Sequence, residues 1–463
     1  MGRLFGTNGV RGVVNAELTV EMVTRLAASA AEALGEELAI GRDGRTTSPM
    51  LRDAAVAGLL SQGCTVHDLG VLPTPALQYA VKTFRLDGGI MVTASHNPPE
   101  FNGVKTVAAD GVETSRETED RIEETYFAGG PEPAPWDRVG RVVEYDALGP
   151  YMDAVVGQVD AEAIRAARLK IAIDPGSGVA ALTAPEVARR LGCRVYTINA
   201  EIDGTFPGRN SEPRPDNLSG LAELVKASGA DMGVAFDGDG DRSMFADERG
   251  AVYWGDRSLA LLAKAYVEGH PGAEVVTSVS SSRAVQDVVE AAGGRVVWTA
   301  VGSVVISRAM VERGAMFGGE ENGGIMYGPH QAVRDGSMIM ALVLERIAKT
   351  GKPLSGLMSE LPQYAQDKDR VDCPNDLKEK VSKTLSQEVK APNIETVDGV
   401  KLSYSDGSWI LVRASGTEPV FRLYAEAKQQ ERASQLIKEN KELVKGVIKR
   451  LGNTVTKESE HMR

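Results

Sequence analysis

The chain has 463 residues, 42% apolar and 25% charged, the composition of a globular protein with sizeable cores, and its length corresponds to three or four domains of ~100–200 residues. Its net charge of −12 argues against a nucleic-acid or anionic-membrane partner, so an anionic small substrate would have to be met by local arginines. No apolar run reaches the ~18 residues of a membrane span, and the three cysteines, Cys64, Cys193 and Cys373, make no disulfide framework.

The chain opens on MGRLFGTNG, without a signal-peptide core and with glycine at position 6 against the myristoylation pattern, so a cytoplasmic location is expected. Within FGTNGVRG, glycines around Arg11 predict a tight loop presenting a cation. A strand in LAIGRDGRT is followed by an amphipathic helix, a glycine and a β-branched strand in AAVAGLLSQGCTVHDLG. The apolar run Gly88–Val92 reads as a strand ending in the polar turn TASHNP, which should leave Ser95 on a rim. A Pro/Gly-rich stretch, Ala128–Gly140 with its continuation to Tyr151, marks a domain border.

The strand, helix, strand pattern returns in LKIAIDPGSG with APEVARRLGCRVYTINA, and again in EVVTSVSSS with AVQDVVEAAGGRVVWTA, beyond a second border near Asp247–Asp256. Recurrence at domain spacing predicts three tandem, similar α/β domains with mixed sheets and right-handed crossovers. From about Asp367 the pattern changes. A charged helix in NDLKEKVSKTLSQEV, three or four strands in IETVDGVKLSY, SWILVRA and FRLYAEA, and a helix over about Glu431–Leu451 predict a smaller C-terminal α+β domain. The expected limits are 1–150, 151–252, 253–366 and 367–452, with 453–463 a polar tail.

Several loops carry chemistry. In GVAFDGDGDRSMFADE, Asp237, Asp239 and Asp241 alternate with glycines, and crowded carboxylates call for a divalent hard cation. An EF-hand is the decoy: Glu248 suits its last ligand, but Arg242 stands where its glycine belongs and MGVAF reads as a strand; a solvated acidic turn is the other alternative to a Mg²⁺ site. FGGEENGGIMYG offers Glu320, Glu321 and Asn322 to a hydroxyl-rich ligand, or is an ordinary surface turn. VRASGTEPVFRLY supplies Arg413 and Arg422 as guanidinium forks and a Ser-Gly-Thr turn as hydroxyls and amides for a phosphate, unless the arginines only meet surface partners. A triad role for Ser95 is excluded by the missing G-x-S-x-G elbow and by an expected divergence of the adjacent His96 side chain. Paired instead with the aspartate cluster, Ser95 becomes a candidate phosphoryl carrier.

TASHNP, DGDGDR, GEENGG and RASGTEP, in this order and one per domain, resemble the α-D-phosphohexomutase superfamily over nearly the whole chain, in its archaeal-type phosphoglucosamine mutase and phosphomannomutase/phosphoglucomutase branch. The resemblance implies four domains around a central cleft and an isomerase that moves phosphate between the 1- and 6-positions of a hexose through a bisphosphorylated intermediate. It implies a phosphorylated Ser95, primed by a hexose 1,6-bisphosphate, which joins Asp237, Asp239 and Asp241 in holding Mg²⁺. Arg11, His96 and Lys105 would surround the reacting phosphoryl group, with Lys105 the candidate for proton transfer. Arg242, Glu320 and Asn322 would face the sugar, and Arg413, Ser415, Gly416, Thr417 and Arg422 would hold the second phosphate. The partners implied are hexose phosphates, with neither nucleic acid nor membrane, in a monomer or a homo-oligomer.

Three positions depart from many family members: Gly324 and Ser303 replace histidines, and Gly44 replaces a threonine. The sugar side of the cleft should therefore be less crowded, and no residue is obviously dedicated to a 2-amino group, although Glu321 could pair with an ammonium. Phosphoglucosamine mutase with phosphoglucomutase activity is the leading expectation, phosphomannomutase/phosphoglucomutase the alternative. A phosphatase or phosphotransferase, and a non-catalytic sugar-phosphate or Ca²⁺-binding protein, are the readings from other classes.

Overall fold

The computed structural model describes residues 4–6, 8–389, 391–416 and 419–461, those beyond 452 by their backbone alone. In the first three domains the same four strands recur. Two parallel strands joined by a helix (Glu37–Arg42 and Thr65–Val71, Lys170–Asp174 and Arg194–Thr197, Glu274–Ser278 and Arg295–Thr299) sit beside a third parallel strand. That third strand, Gly88–Val92, Met232–Phe236 or Phe317–Gly319, turns directly into an antiparallel partner, Phe101–Ala108, Ser243–Asp247 or Ile325–Tyr327. The first sheet has six strands and the next two have five each. TASHNP, DGDGDR and GEENGG are thus one structural position used three times: the turn at the end of the central parallel strand.

Local chemistry sets the helices between these strands. Thr19 caps Val20–Leu34 by accepting from the Met22 amide (3.2 Å), and Asp335 caps Gly336–Thr350 by accepting from Met338 (3.0 Å). Gly351, at φ 64°, ends the latter helix in the left-handed conformation that glycine adopts without steric cost. The central strands Gly88–Val92 and Met232–Phe236 are buried along their whole length, as strands covered on both faces must be. One apolar core runs through the first three domains and includes Leu77, Met91, Ile171, Phe236, Phe317 and Met338, which fixes their motif turns relative to one another.

The fourth domain is an antiparallel five-stranded sheet with the helix Gln430–His461 on one face. One of its strands, Ala365–Asp372, was not expected; it lies at the sheet edge, where its charged residues protect an open backbone. The C-terminal helix also continues past Leu451 through part of the segment expected as a polar tail. RASGTEP begins at the end of Trp409–Ala414, which pairs antiparallel with the next strand, Val420–Ala427. The opposite face of this sheet packs Trp409, Leu411 and Tyr424 against Val279 and Trp298 of the third domain.

Cys64, Cys193 and Cys373 are buried and unpaired, with burial pushing the first two thiols up to about 11 and about 12. Among the described residues no helix is long and apolar enough to cross a membrane.

Candidate active site

The turn after Gly88–Val92 does not leave Ser95 on a rim. Ser95 is entirely buried, because the aspartate turn of the second domain closes over it. The closure is tight: a Cβ on Gly238 would fall 2.5 Å from the Ser95 carbonyl oxygen, so only glycine fits between Asp237 and Asp239. Ser95 Oγ donates to Asp237 Oδ2 (2.7 Å). Its φ of 50° is left-handed, an unusual setting for serine that marks a constrained turn. The chain reversal brings His96 Nδ1 to 3.3 Å from Ser95 Oγ, so the expected divergence of these neighbours is overturned by backbone conformation.

Arg45 holds this turn. Its guanidinium donates to the carbonyls of Ser95 (2.8 Å), Asn97 (2.7 Å), Pro98 (2.7 Å) and Phe101 (3.0 Å), and its Nε to Asp43 (3.1 Å). Asp43 in turn accepts from Thr93 Oγ1 (2.6 Å), and Thr93 Oγ1 accepts from the Ser95 amide (2.9 Å). Arg11 is half-buried and donates to Asn97 Oδ1 (2.6 Å) and the Ala94 carbonyl (3.2 Å). Burial lowers its guanidinium to about 10, which leaves it a cation at neutral pH.

Asp237, Asp239 and Asp241 are buried, with one carboxylate oxygen from each lying within 4.8 Å of the other two. They occupy a strand-to-strand turn, not the helix–loop–helix of an EF-hand. Burial and the two neighbouring aspartates push the Asp237 carboxyl well above its ordinary value. Asp239 lies below the usual range: burial opposes ionisation but is outweighed by Lys105, the Thr74 hydroxyl at 2.6 Å and Arg334. Lys105 Nζ donates to Asp239 (2.7 Å) and Asp241 (3.1 Å). Burial would lower its ammonium, but the two carboxylates raise it. Asp239 Oδ1 and Asp241 Oδ1 are nevertheless buried without a donor. Two orphaned oxygens in a hard-oxygen donor set fit a divalent cation.

The third-domain turn adjoins this cluster through Arg334, which bonds Asp241 at 2.6 Å and lies 3.5 Å from Glu320. Burial raises the Glu320 carboxyl, while Arg334 and Arg242 oppose the shift. A Cβ on Gly324 would lie 2.4 Å from Arg334 Cδ, so an arginine side chain fills the space expected to be less crowded. Glu321 accepts from Ser280 (2.9 Å), the half-buried Asn322 accepts from Gly324 N (3.0 Å), and the Arg242 guanidinium lies 3.5 Å from Glu212. Burial, then the guanidiniums of Arg242, Arg11 and Arg334, hold the His96 imidazole well below its usual range, in its neutral form.

In the fourth domain, Arg413 and Arg422 are directly opposed across two strands, and Arg370 opposes Arg422 from the other side. Arg413 pairs with Asp398 (3.0 Å), Ser415 is buried with its carbonyl accepting from Lys378 (2.7 Å), and Gly416 is exposed. Thr417 lies outside the described residues. The sequence reading missed Arg45, Arg334 and Thr74, which act through contacts with other segments. The available signal was Arg-Asp-Gly at two strand ends: at 334–336 its arginine is Arg334 itself, at 42–44 Arg45 directly follows it, and nothing local marks Thr74.

Four family models match successive stretches: phosphoglucomutase/phosphomannomutase alpha/beta/alpha domain I over residues 2–132, domain II over 149–250, domain III over 254–364, and the C-terminal domain over 369–443. The chain is 42% identical to a phosphoglucomutase/phosphomannomutase of Thermococcus kodakarensis, over 97% of this chain and 100% of that one. It is 43% identical to a phosphoglucosamine/phosphogalactosamine mutase of Sulfurisphaera tokodaii, over 96% and 100%. A crystal structure of a phosphoglucomutase/phosphomannomutase family protein from Burkholderia thailandensis superposes with a TM-score of 0.86 at 28% identity, covering 96% of this chain and 97% of that one. With all four domain models in order and relatives aligned end to end, the chain belongs to the phosphoglucomutase/phosphomannomutase family.

Proposed function

We propose that the protein is a phosphohexomutase that interconverts hexose 6-phosphates and hexose 1-phosphates, acting on glucosamine and glucose phosphates and also on mannose phosphates. The observation that carries this reading is the buried Ser95 hydroxyl, 2.7 Å from Asp237, beside aspartate oxygens that lack donors. A serine so placed suits a phosphoryl carrier. Ser95, Asp237, Asp239 and Asp241 would hold Mg²⁺, whose charge would neutralise the negative charge that develops on the transferring group.

In the forward direction a sugar hydroxyl oxygen attacks the phosphorus of phospho-Ser95. The bond from phosphorus to Ser95 Oγ breaks, the hydroxyl gives up its proton, and the sugar carries two phosphates. After the sugar turns over, Ser95 Oγ attacks the other phosphorus, and the sugar oxygen released takes a proton. The neutral His96 imidazole, its Nδ1 3.3 Å from Ser95 Oγ, is the group placed to take up a proton, and the Lys105 ammonium the group able to give one to the released sugar oxygen. Arg11 adds a positive charge beside the turn. Glu320, Asn322 and Arg242 suit the sugar hydroxyls. Arg413, Ser415, Gly416, Thr417 and Arg422 would hold the phosphate that is not reacting, contributing positioning and therefore rate. Both substrate orientations would use that clamp, so the fourth domain must loosen without releasing the intermediate. A hexose 1,6-bisphosphate would prime Ser95.

Phosphorus NMR of glucosamine 6-phosphate with enzyme, Mg²⁺ and a trace of hexose 1,6-bisphosphate tests this reading. Appearance of the 1-phosphate is expected. Release of inorganic phosphate alone would indicate a phosphatase, and an unchanged spectrum a binding protein.

A further inference from the structure

A polar cluster at the seam of the first and third domains has no part in the chemistry described above. Glu113 is 5% exposed, and its Oε1 accepts a 3.4 Å contact from Asn8 Nδ2 while Oε2 is buried without a donor among the described residues. Asn8 Nδ2 also donates to Ser303 Oγ (3.0 Å), and the buried Asn8 Oδ1 has no partner among the described residues. The amide orientation follows from its neighbour, since a carboxylate can only accept. Asn8 and Glu113, in contact with each other and with Ser303 through the Asn8 amide nitrogen, thus each carry one buried acceptor without a donor among the described residues. Leaving such groups unpaired is costly, so their arrangement points to a ligand rich in donors.

The cluster also meets the third domain, which carries the sugar turn, through Ser303 and Arg308. The Glu113 carboxylate helps to raise Arg334, whose guanidinium contacts Asp241 and Glu320, and Ser303 opens a helix of the same domain that carries the sugar turn. Arg308 Nε binds the Glu113 carbonyl (3.0 Å) and leaves the carboxylate free to meet a ligand. A sugar hydroxyl offers one hydrogen to these acceptors, whereas an ammonium offers three and a matching charge. We infer that Glu113, oriented by Asn8, recognises the 2-ammonium group of a hexosamine phosphate. The inference rests on the mutase reading and supplies the dedicated partner that the sequence did not reveal.

The test compares kcat/KM for glucosamine 6-phosphate and glucose 6-phosphate in wild type, Glu113→Gln and Asn8→Ala. It also compares binding of both sugars by calorimetry to Ser95→Ala with and without Glu113→Gln. We expect the amino-to-hydroxyl ratio of kcat/KM to fall at least tenfold in Glu113→Gln and to fall in Asn8→Ala, with the binding ratio falling in parallel. A ratio within threefold of wild type, or equal losses for both sugars, would overturn the inference by leaving Glu113 a merely structural role. If wild type isomerises neither sugar, the mutase reading fails, and the binding ratio still decides whether Glu113 reads an ammonium.

Discussion

Arg45→Lys keeps a positive charge behind the Ser95 turn and removes the geometry that holds it. Arginine makes five bonds there, to Asp43 and to four carbonyls between Ser95 and Phe101. A lysine ammonium has three hydrogens, so at least two of the five acceptors lose their donor in a site where Arg45 is 1% exposed. Asp43, Asn97 and Pro98 keep second donors in Thr93, Ser211 and the Phe101 amide, so the cost is that of lost hydrogen bonds from a charged donor; at ~1.5–3 kcal/mol each, two of them take roughly 3–6 kcal/mol from first-domain stability. With ~2–4 °C per kcal/mol for a domain of this size, the first thermal transition should fall by about 6 °C or more. Because Arg45 contacts the Ser95 carbonyl, catalysis should suffer through misplacement of the hydroxyl, where about 1 Å can cost on the order of 100-fold. The loss should appear in kcat, with KM changing little, since the fully buried Arg45 spends all its donors within the protein. Calorimetry and steady-state kinetics on one preparation decide the matter. An unchanged transition with kcat within about threefold of wild type would refute the clamp and the accounting behind it.

Asp239→Asn removes one of three converging carboxylates and a partner of Lys105, so activity should fall by orders of magnitude and half-maximal activity should need more Mg²⁺; a Mg²⁺ titration matching wild type would contradict the site. Arg422→Ala should weaken binding by roughly 1.5–3 kcal/mol, the worth of a hydrogen bond to a charged group, and raise KM for 1- and 6-phosphates alike; an effect on one alone would contradict a clamp serving both orientations. Burial raises the Asp256 carboxyl from 3.8 to about 6, so the folded chain keeps a proton that the unfolded chain loses in that interval. Its contribution to stability is present below about pH 4 and disappears as pH rises through 6, a change of ~3 kcal/mol. Asp256→Asn should therefore flatten the fall in Tm between pH 4 and 7, and parallel curves for the two proteins would count against this.

The legible features were those encoded within a few residues. The repeated strand, helix, strand pattern and the turns TASHNP, DGDGDR, GEENGG and RASGTEP announced their positions because each follows a strand and carries its own chemistry. Contacts between distant segments were not visible. Arg334 meets Asp241 from more than 90 residues away, and Arg45 reaches the Ser95 turn across the first domain. The positive φ of Ser95 was hidden because nothing in the residue type signals it, and it belongs to the turn that brings His96 back toward the Ser95 hydroxyl. The strand Ala365–Asp372 escaped because an edge strand can be charged almost throughout. Gly324 suggested open space, but the side chain that fills it, Arg334, comes from the second strand after it, Gln331–Arg334.

Phosphorylation of Ser95 is the most direct test of the mechanism. The protein, incubated with a hexose 1,6-bisphosphate and Mg²⁺, should gain the mass of one phosphoryl group, mapped by peptide sequencing to Ser95. Hexose 6-phosphate should then discharge that group, with the phosphorus recovered in a hexose bisphosphate or monophosphate. A protein that takes up no phosphoryl group under these conditions, or a Ser95→Ala variant that isomerises hexose phosphates at the wild-type rate, would contradict a carrier role for this serine.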